Sequence, residues 1–376
     1  MGLMRVLLTG GGTGGHIYPA LALARDLRRR VEDLELLYVG TPGGMEKELV
    51  PREGIPFTAI DVRGLPRRPG LEQVRALWQA WRSLGQAKGV LRRFRPNVVV
   101  GTGGYVSGPV VFMAHRMGIP TLIHEQNVVP GLTNRLLSRV VDAVAVSFPD
   151  TSAFPKAKRV VITGNPRASE LVEVQEDRVE AIRREYGLKT DRPAVVIVSG
   201  SRGAAPINRA AQGLLPKLKG APFQLVWVTG RAHFEDIERD VERQFGKERV
   251  EGVTIVPFCH DMPALLHAVD CVVCRAGAST VAELTAAGTP AILIPSPYVA
   301  GRHQERNARW LAEREAAVVL PEDQLTPDEL FRRIIHILGR NEAKEMSRRS
   351  RELGLVDAAR TLSLLVVSLA SAKGRQ

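Results

Sequence analysis

Cysteine is scarce in this chain of 376 residues: there are three, at 259, 271 and 274. An odd set of three excludes a disulfide framework as the basis of the fold. Cys271 and Cys274 fall in "VDCVVCRAG", which reads as a buried strand, and residues three apart on a strand face opposite ways. That geometry argues against a redox or zinc pair and for buried thiols. Aromatic residues make up only 5% of the chain, and no homeodomain, zinc-finger or RNA-binding signature occurs. Nucleic acid is therefore not an expected partner. Long apolar runs are missing too. "MGLMRVLLTGG" breaks into glycine after a brief apolar stretch, and "LSLLVVSLA" at 362 to 370 is too short to cross a bilayer. The expected location is the cytoplasm.

What is present describes a folded protein of two domains: 44% hydrophobic and 24% charged residues in a chain too long for one ordinary core. The net charge of +12 speaks to partners. It is concentrated between Arg63 and Arg95, where Arg63, Arg67, Arg68, Arg75, Arg82, Lys88, Arg92, Arg93 and Arg95 face the single acid Glu72. Leu71, Val74, Trp78, Trp81 and Leu84 recur there at three- and four-residue steps, the mark of an amphipathic helix. Two readings stay open: a core-facing stripe with a solvated back, or an interfacial helix with its tryptophans at head-group depth and its cations on anionic lipid.

Along the chain, "MRVLLTG", "LELLYVG", "FTAIDV", "NVVVGTG", "PTLIHEQ", "AVAVSF" and "RVVITGN" read as strands with helical patterns between most of them. The alternation restarts with "PAVVIVSGS", "FQLVWVTG", "VTIVPF", "DCVVCRAG" and "PAILIPS". Two Rossmann-like, doubly wound parallel sheets in series follow, an α/β architecture in which ligands sit beyond the carboxyl ends of the strands. Two such domains facing each other would enclose a cleft. The expected domains are 1–163, 164–350 and a C-terminal helix over 351–376 that returns to the first domain.

In each half the first strand runs into a glycine turn, "TGGGTGGH" and "SGSRGAAP". Gly10, Gly12 and Gly15 match the spacing of a dinucleotide loop, but the second strand ends in Gly40 and Thr41 rather than in an acid, and no GK[ST] follows. What remains is a turn that lets a ligand approach the backbone and sets His16 at a helix tip, where a neutral imidazole can act as a base. In "CRAGASTVAELTAAGTP" a strand ends, Gly277 opens a turn, and Ser279 and Thr280 bring hydroxyls to a helix start suited to a diphosphate. Glu283 follows within the first turns, where a carboxylate can accept two hydrogen bonds from a ribose diol.

"GGTGGH", "GGYVSGP", "HEQN", "GNP", "CRAGASTVAE" and "GTPAILIPSP" stand in the order and spacing of the MurG family, which this chain resembles over essentially its whole length. The resemblance implies the glycosyltransferase B fold, with an acceptor domain first and a UDP-sugar domain second. It implies inverting transfer of N-acetylglucosamine from UDP-N-acetylglucosamine to the 4-hydroxyl of N-acetylmuramoyl-pentapeptide on undecaprenyl pyrophosphate, at the cytoplasmic face of the cell membrane. Besides this donor and acceptor it implies an anionic membrane surface, and it leaves room for other cell-wall enzymes as partners.

By the same resemblance His16 is the general base, with Thr13, Gly14 and Gly15 lining the site. Asn127 contacts the transferred sugar, Ser201 the diphosphate, Ala278, Ser279, Thr280, Val281, Ala282 and Glu283 hold uridine diphosphate, and Gln304 reads sugar hydroxyls. Cys259 aligns with a residue whose backbone contacts uracil, and Arg167 stands as a phosphate ligand. Tyr105 and Ser107, on the glycine turn that ends a strand in "GTGGYVSGP", are expected to meet the acceptor pyrophosphate. The chain departs from the family pattern at Arg202, in "SGSRGA", and at His303, where a glutamine is expected. No Asp-x-Asp occurs, so neither a metal nor another cofactor is expected. Two other classes remain in view: a UDP-sugar epimerase and a non-catalytic UDP-sugar-binding protein at the membrane.

Overall fold

The computed structural model describes residues 3–62, 71–200, 203–246 and 250–372. They form two compact units, Met1–Ser169 with Val356–Gln376, and Glu170–Leu355.

The first unit holds seven strands: β1 (Met4–Gly10), β2 (Leu34–Gly40), β3 (Phe57–Ala59), β4 (Val98–Gly103), β5 (Thr121–Glu125), β6 (Ala143–Val146) and β7 (Val160–Ile162). Their order is β3-β2-β1-β4-β5-β6-β7, with every pairing parallel. The strands are apolar on both faces, as a sheet covered on both sides demands. Val6, Leu8, Val98 and Val100 point to one layer and Leu7, Val99, Ile123 and Val144 to the other. The first layer is roofed by the helix Gly14–Arg30 through Ile17, Leu21 and Leu27, and by the C-terminal helix Ala358–Ala372 through Leu362, Leu365 and Val366. On the second layer lie the helices Leu71–Phe94, Ser107–Arg116 and Leu132–Leu137.

This unit continues past residue 163 because Asn165 caps the short turn Pro166–Ala168, which packs on the helices Gly14–Arg30 and Ala358–Ala372. Ser169 Oγ closes the junction, donating to Val356 O at 2.6 Å and accepting from Ala359 N at 3.0 Å. The stretch Asn341–Ala372 contains an 18-residue window with a mean hydropathy of 1.7, apolar enough to be weighed as a membrane span. Two helices share it, Arg340–Leu353 and Ala358–Ala372, and the apolar second one lays one face into the core of the first unit.

The second unit has six strands: β8 (Ala194–Val198), β9 (Gln224–Val228), β10 (Val253–Val256), β11 (Cys271–Cys274), β12 (Ala291–Leu293) and β13 (Val318–Val319). They run parallel in the order β10-β9-β8-β11-β12-β13. The two-residue β13 has no counterpart among the strands read from the sequence, since "AAVVLPE" is too short to show a period. Val195, Ile197, Leu225, Trp227 and Val273 meet the helices Ala205–Leu214, Arg231–Phe245 and Pro327–Ile337 in one core. Cys271 and Cys274 are buried free thiols in β11, and among the described residues no three His, Cys, Asp or Glu gather as metal ligands would.

The helix Leu71–Phe94 forms as its periodicity predicts; among its described side chains the buried ones are Ser83, Ala87, Val90 and Leu91, while Trp81 is 74% exposed. Trp81 therefore lies off the core-facing side, while Leu84 is half-buried. Ala87, Val90 and Leu91 join the second-layer core, and the helix packs against Ser107–Arg116.

Candidate functional site

In the first sheet the strand order reverses between β1 and β4, the place where open α/β sheets bind ligands. Glycine is required there for two reasons. A side chain at Gly10 would lie 2.2 Å from Thr102 Oγ1, one at Gly11 would lie 2.4 Å from Glu46 Oε1, and one at Gly104 would meet the Gly11 carbonyl oxygen at 2.4 Å. These glycines serve packing between the two loops, which are also joined by Gly11 N donating to Gly103 O at 3.3 Å. Gly12, at φ +84° with open space around it, is the one that shapes the exposed turn. Below it the buried carboxylate of Glu46 accepts from Gly12 N at 3.3 Å, Thr41 N at 3.0 Å and Thr41 Oγ1 at 2.7 Å.

His16 is the third residue of the helix Gly14–Arg30 and is half-buried. Its ring lies over Gly103, where a Cβ would come within 2.6 Å of Nδ1. Nδ1 sits 3.0 Å from Thr102 O and 3.2 Å from Gln126 Oε1. A carbonyl oxygen only accepts, so Nδ1 carries the proton and Nε2 holds the lone pair. Thr13 and Gly15 are exposed beside it, Gly14 is partly so, and Pro19 in the same helix has no N–H to give the Gly15 carbonyl. Asn127 follows β5. Its backbone and side-chain N–H groups donate to Glu125 Oε1 at 3.0 and 3.2 Å, while Glu125 Oε2 accepts from Gly131 N and Asn134 Nδ2. Glu125 thus spends its charge on holding the loop that presents Asn127.

Two expectations change here. Ser107 is fully buried, with Oγ 2.7 Å from Gly103 O and 3.0 Å from Thr9 O while accepting from Gly103 N, so its hydroxyl ties the loop to β1 and does not face a pyrophosphate. Tyr105, two residues earlier, is 63% exposed. Arg167 belongs to the first unit, not the second, and its guanidinium lies 5.4 Å from the centre of the Tyr18 ring.

In the second sheet the order reverses between β8 and β11. The loop after β8 contains Ser201 and Arg202, which lie outside the described residues. Its described remainder is tightly set: a Cβ on Gly203 would meet the His233 ring, and one on Gly230 would lie 2.7 Å from the Gly203 Cα. Asn208 anchors the following helix, accepting from Trp227 Nε1 at 3.1 Å and donating to Thr229 O at 2.9 Å. After β11, Gly277 precedes the helix Ala278–Ala287 with no side-chain cap, so its first amides remain for a ligand. Ser279 Oγ is buried without a protein partner at this helix start, and Thr280 and Ala282 are partly exposed. Val281 and Ala278 pack inward, and Glu283 is 8% exposed one and a half turns in. Asn307 Nδ2 holds the preceding Ala276 carbonyl at 3.2 Å. On the helix His303–Ala312, Gln304 Oε1 accepts from Ser296 N at 2.9 Å, which leaves its amide N–H groups as the free face. Cys259 is a buried thiol beyond β10, raised in pKa by burial and set beside Tyr186.

Glu46, His124, Glu125, Gln126, Asn208 and Asn307 are the site's supporting polar residues that sequence reasoning passed over. Three of them lie in the quoted "HEQN", of which only Asn127 drew notice.

A parallel sheet with Rossmann strand order and a glycine-built ligand loop at its reversal occurs twice in succession, and that duplication defines the glycosyltransferase B class. Residues 6–146 match the glycosyltransferase family 28 N-terminal domain, and residues 194–362 match the family 28 C-terminal domain. The UDP-N-acetylglucosamine–N-acetylmuramyl-(pentapeptide) pyrophosphoryl-undecaprenol N-acetylglucosamine transferase of Halalkalibacterium halodurans is 47% identical over 370 residues, 98% of this chain and 100% of that one. The crystal structure of Acinetobacter baumannii MurG superposes with a TM-score of 0.77 at 30% identity, covering 97% of this chain and 99% of that one. A UDP-N-acetylglucosamine 2-epimerase from Neisseria meningitidis, solved with UDP-N-acetylglucosamine, shares the fold with a TM-score of 0.67 at 13% identity, over 96% of this chain and 100% of that one. The chain belongs to glycosyltransferase family 28, among its MurG members.

Proposed function

We propose that this enzyme transfers N-acetylglucosamine from UDP-N-acetylglucosamine to the 4-hydroxyl of undecaprenyl-pyrophosphoryl-N-acetylmuramoyl-pentapeptide, with inversion at the anomeric carbon. The observation that carries the reading is the state of His16: Nδ1–H is committed to Thr102 O, and Nε2 has no hydrogen-bond partner among the described residues. In this reading Nε2 takes the proton of the acceptor hydroxyl as its oxygen bonds to the anomeric carbon. The bond from that carbon to the diphosphate breaks, and UDP leaves with the electron pair. The second unit binds the donor: the helix start at Ala278, with Ser279 and Thr280, holds the diphosphate and stabilises its growing charge, Glu283 accepts from the ribose diol, and Gln304 donates to the sugar. Asn127 contacts the transferred sugar, Thr13, Gly14 and Gly15 line the site beside His16, and Tyr105 lies on the acceptor side.

A lipid-linked acceptor places the enzyme at the cytoplasmic membrane surface as a peripheral protein. Exposed Trp81, with Arg82 beside it, supports the interfacial reading of the helix Leu71–Phe94. Arg67 and Arg68 lie outside the described residues, as do the side chains of Arg75 and Trp78.

The test is transfer of labelled N-acetylglucosamine from its UDP donor to lipid-linked muramoyl-pentapeptide. His16→Ala is expected to lower kcat by roughly 10²- to 10⁴-fold with little change in donor KM, and Glu283→Ala to raise donor KM. Absence of transfer by the wild type, with UDP-sugar binding intact, overturns the reading and makes epimerisation of the free nucleotide sugar the next assay.

A further inference from the structure

His16 does not end its contacts at Thr102. Gln126 is buried, and its Nε2 lies 3.0 Å from His124 Nδ1, 2.9 Å from Thr102 O and 3.1 Å from the His124 carbonyl oxygen, while Oε1 faces His16 Nδ1. His124, also buried, places Nε2 2.9 Å from the carbonyl oxygen of Gly164. Each link admits one polarity. The Gly164 carbonyl can only accept, so His124 Nε2 carries a proton, and in the neutral ring Nδ1 is then a lone pair that needs a donor. Gln126 Nε2–H supplies that donor, and because the Thr102 and His124 carbonyl oxygens within reach of Nε2 also only accept, all three turn Oε1 toward His16. A flipped amide would set N–H against His16 Nδ1–H and a carbonyl oxygen against the His124 lone pair.

We infer that Gln126 is the positioning residue for His16, its amide oriented by the Thr102 and His124 carbonyls together with the Nε2–H tautomer of His124, in a one-way chain of hydrogen bonds from His16 Nδ1–H through Gln126 and His124 to the Gly164 carbonyl. The inference rests on the reading of His16 as the base and specifies how that base is presented. Thr102 O alone sets the tautomer; the second acceptor at Oε1 stops the ring from turning about its χ angles and keeps Nε2 aimed at the acceptor hydroxyl. A ring held by one acceptor samples other rotamers, so a share of bound complexes is unproductive. The chain also explains why Gln126 and His124 tolerate full burial: each donor in it meets an acceptor.

Two measurements test this. In wild-type protein, ¹⁵N–¹H spectra of the histidine rings are expected to show His16 as the Nδ1–H and His124 as the Nε2–H tautomer, opposite forms in one molecule. Finding His124 as Nδ1–H overturns the chain, and this arm requires no variant to fold. In the transfer assay, Gln126→Met, close in volume but without donor or acceptor, is expected to lower kcat on the order of tenfold, part of the roughly 10²–10⁴ that a positioned general base supplies. Donor KM should stay unchanged, and the His16 ring signals should broaden. Wild-type kcat in that variant, with sharp His16 signals, overturns the positioning role while a dead His16→Ala keeps the base. Turnover surviving in His16→Ala instead removes the base reading itself.

Discussion

At the scale of single residues, burial decides which titratable groups keep their ordinary chemistry. His124 is pushed down to about 4, chiefly because its sealed surroundings disfavour the charged ring; His16 adds a smaller push in the same direction, against the bond to the Gly164 carbonyl and the nearby Glu125 charge. In the unfolded chain the same ring titrates near ~6.5. Between these values the unfolded state binds the proton and the folded state does not, so stability falls as pH drops from about 6.5 toward 4 and is unaffected by His124 above that window. His124→Gln should flatten the slope of unfolding free energy, taken from urea titrations, against pH between about pH 5 and 6.5, by at most roughly 1.4 kcal/mol per unit. An unchanged slope would show that the buried ring does not resist protonation. Cys274, pushed up to about 12 by burial, follows the same logic to the opposite use, an inert thiol in a strand.

At the scale of elements, the strands of the first sheet could be read in the sequence because each is a short, largely apolar run set between turn signals or helical patterns. The helix Leu71–Phe94 was legible as a helix and not as to face, because its buried side at Ser83 and Ala87 is small and only packing shows that Trp81 is left outside. His16 and the helix after Gly277 were legible because glycine loops mark them. Gln126 and Glu46 were not, since nothing local announces a side chain whose partners lie far away in the chain. The outward face of the helix Leu71–Phe94 leads to a prediction. This helix packs on Ser107–Arg116, which packs on Leu132–Leu137, where Leu132 and Leu136 are exposed one turn apart, among exposed Arg135 and Arg139. Flotation with vesicles should require anionic phospholipid and decline as salt rises and the Debye length shrinks from ~10 Å at 0.1 M. Trp81→Ser with Leu136→Ser should weaken it further at fixed salt. Binding that ignores both salt and the double variant would remove these helices from the membrane contact.

At the scale of the whole molecule, the chain builds its first unit from both of its ends, with the second unit inserted between them. The C-terminal helix Ala358–Ala372 belongs to the first unit, where Leu362, Leu365 and Val366 share a core with Ile17, Leu21 and Leu27. That assignment makes truncation informative. Removing residues 356–376 strips three large buried side chains from the first unit, and at about 1.5–3 kcal/mol each the loss is roughly 5–9 kcal/mol. This is comparable with the ~5–15 kcal/mol that holds a typical domain folded. It also uncovers Ser169, whose hydroxyl is paired with Val356 and Ala359. The second unit has its own core and none of those contacts. A truncated chain is therefore expected to lose the cooperative unfolding transition of the first unit in calorimetry while the second still melts and still binds UDP-N-acetylglucosamine. If both transitions survive at their full-length temperatures, the C-terminal helix is an ornament of the first unit; if both vanish, the second unit depends on the first for its own stability and the two cores are not independent.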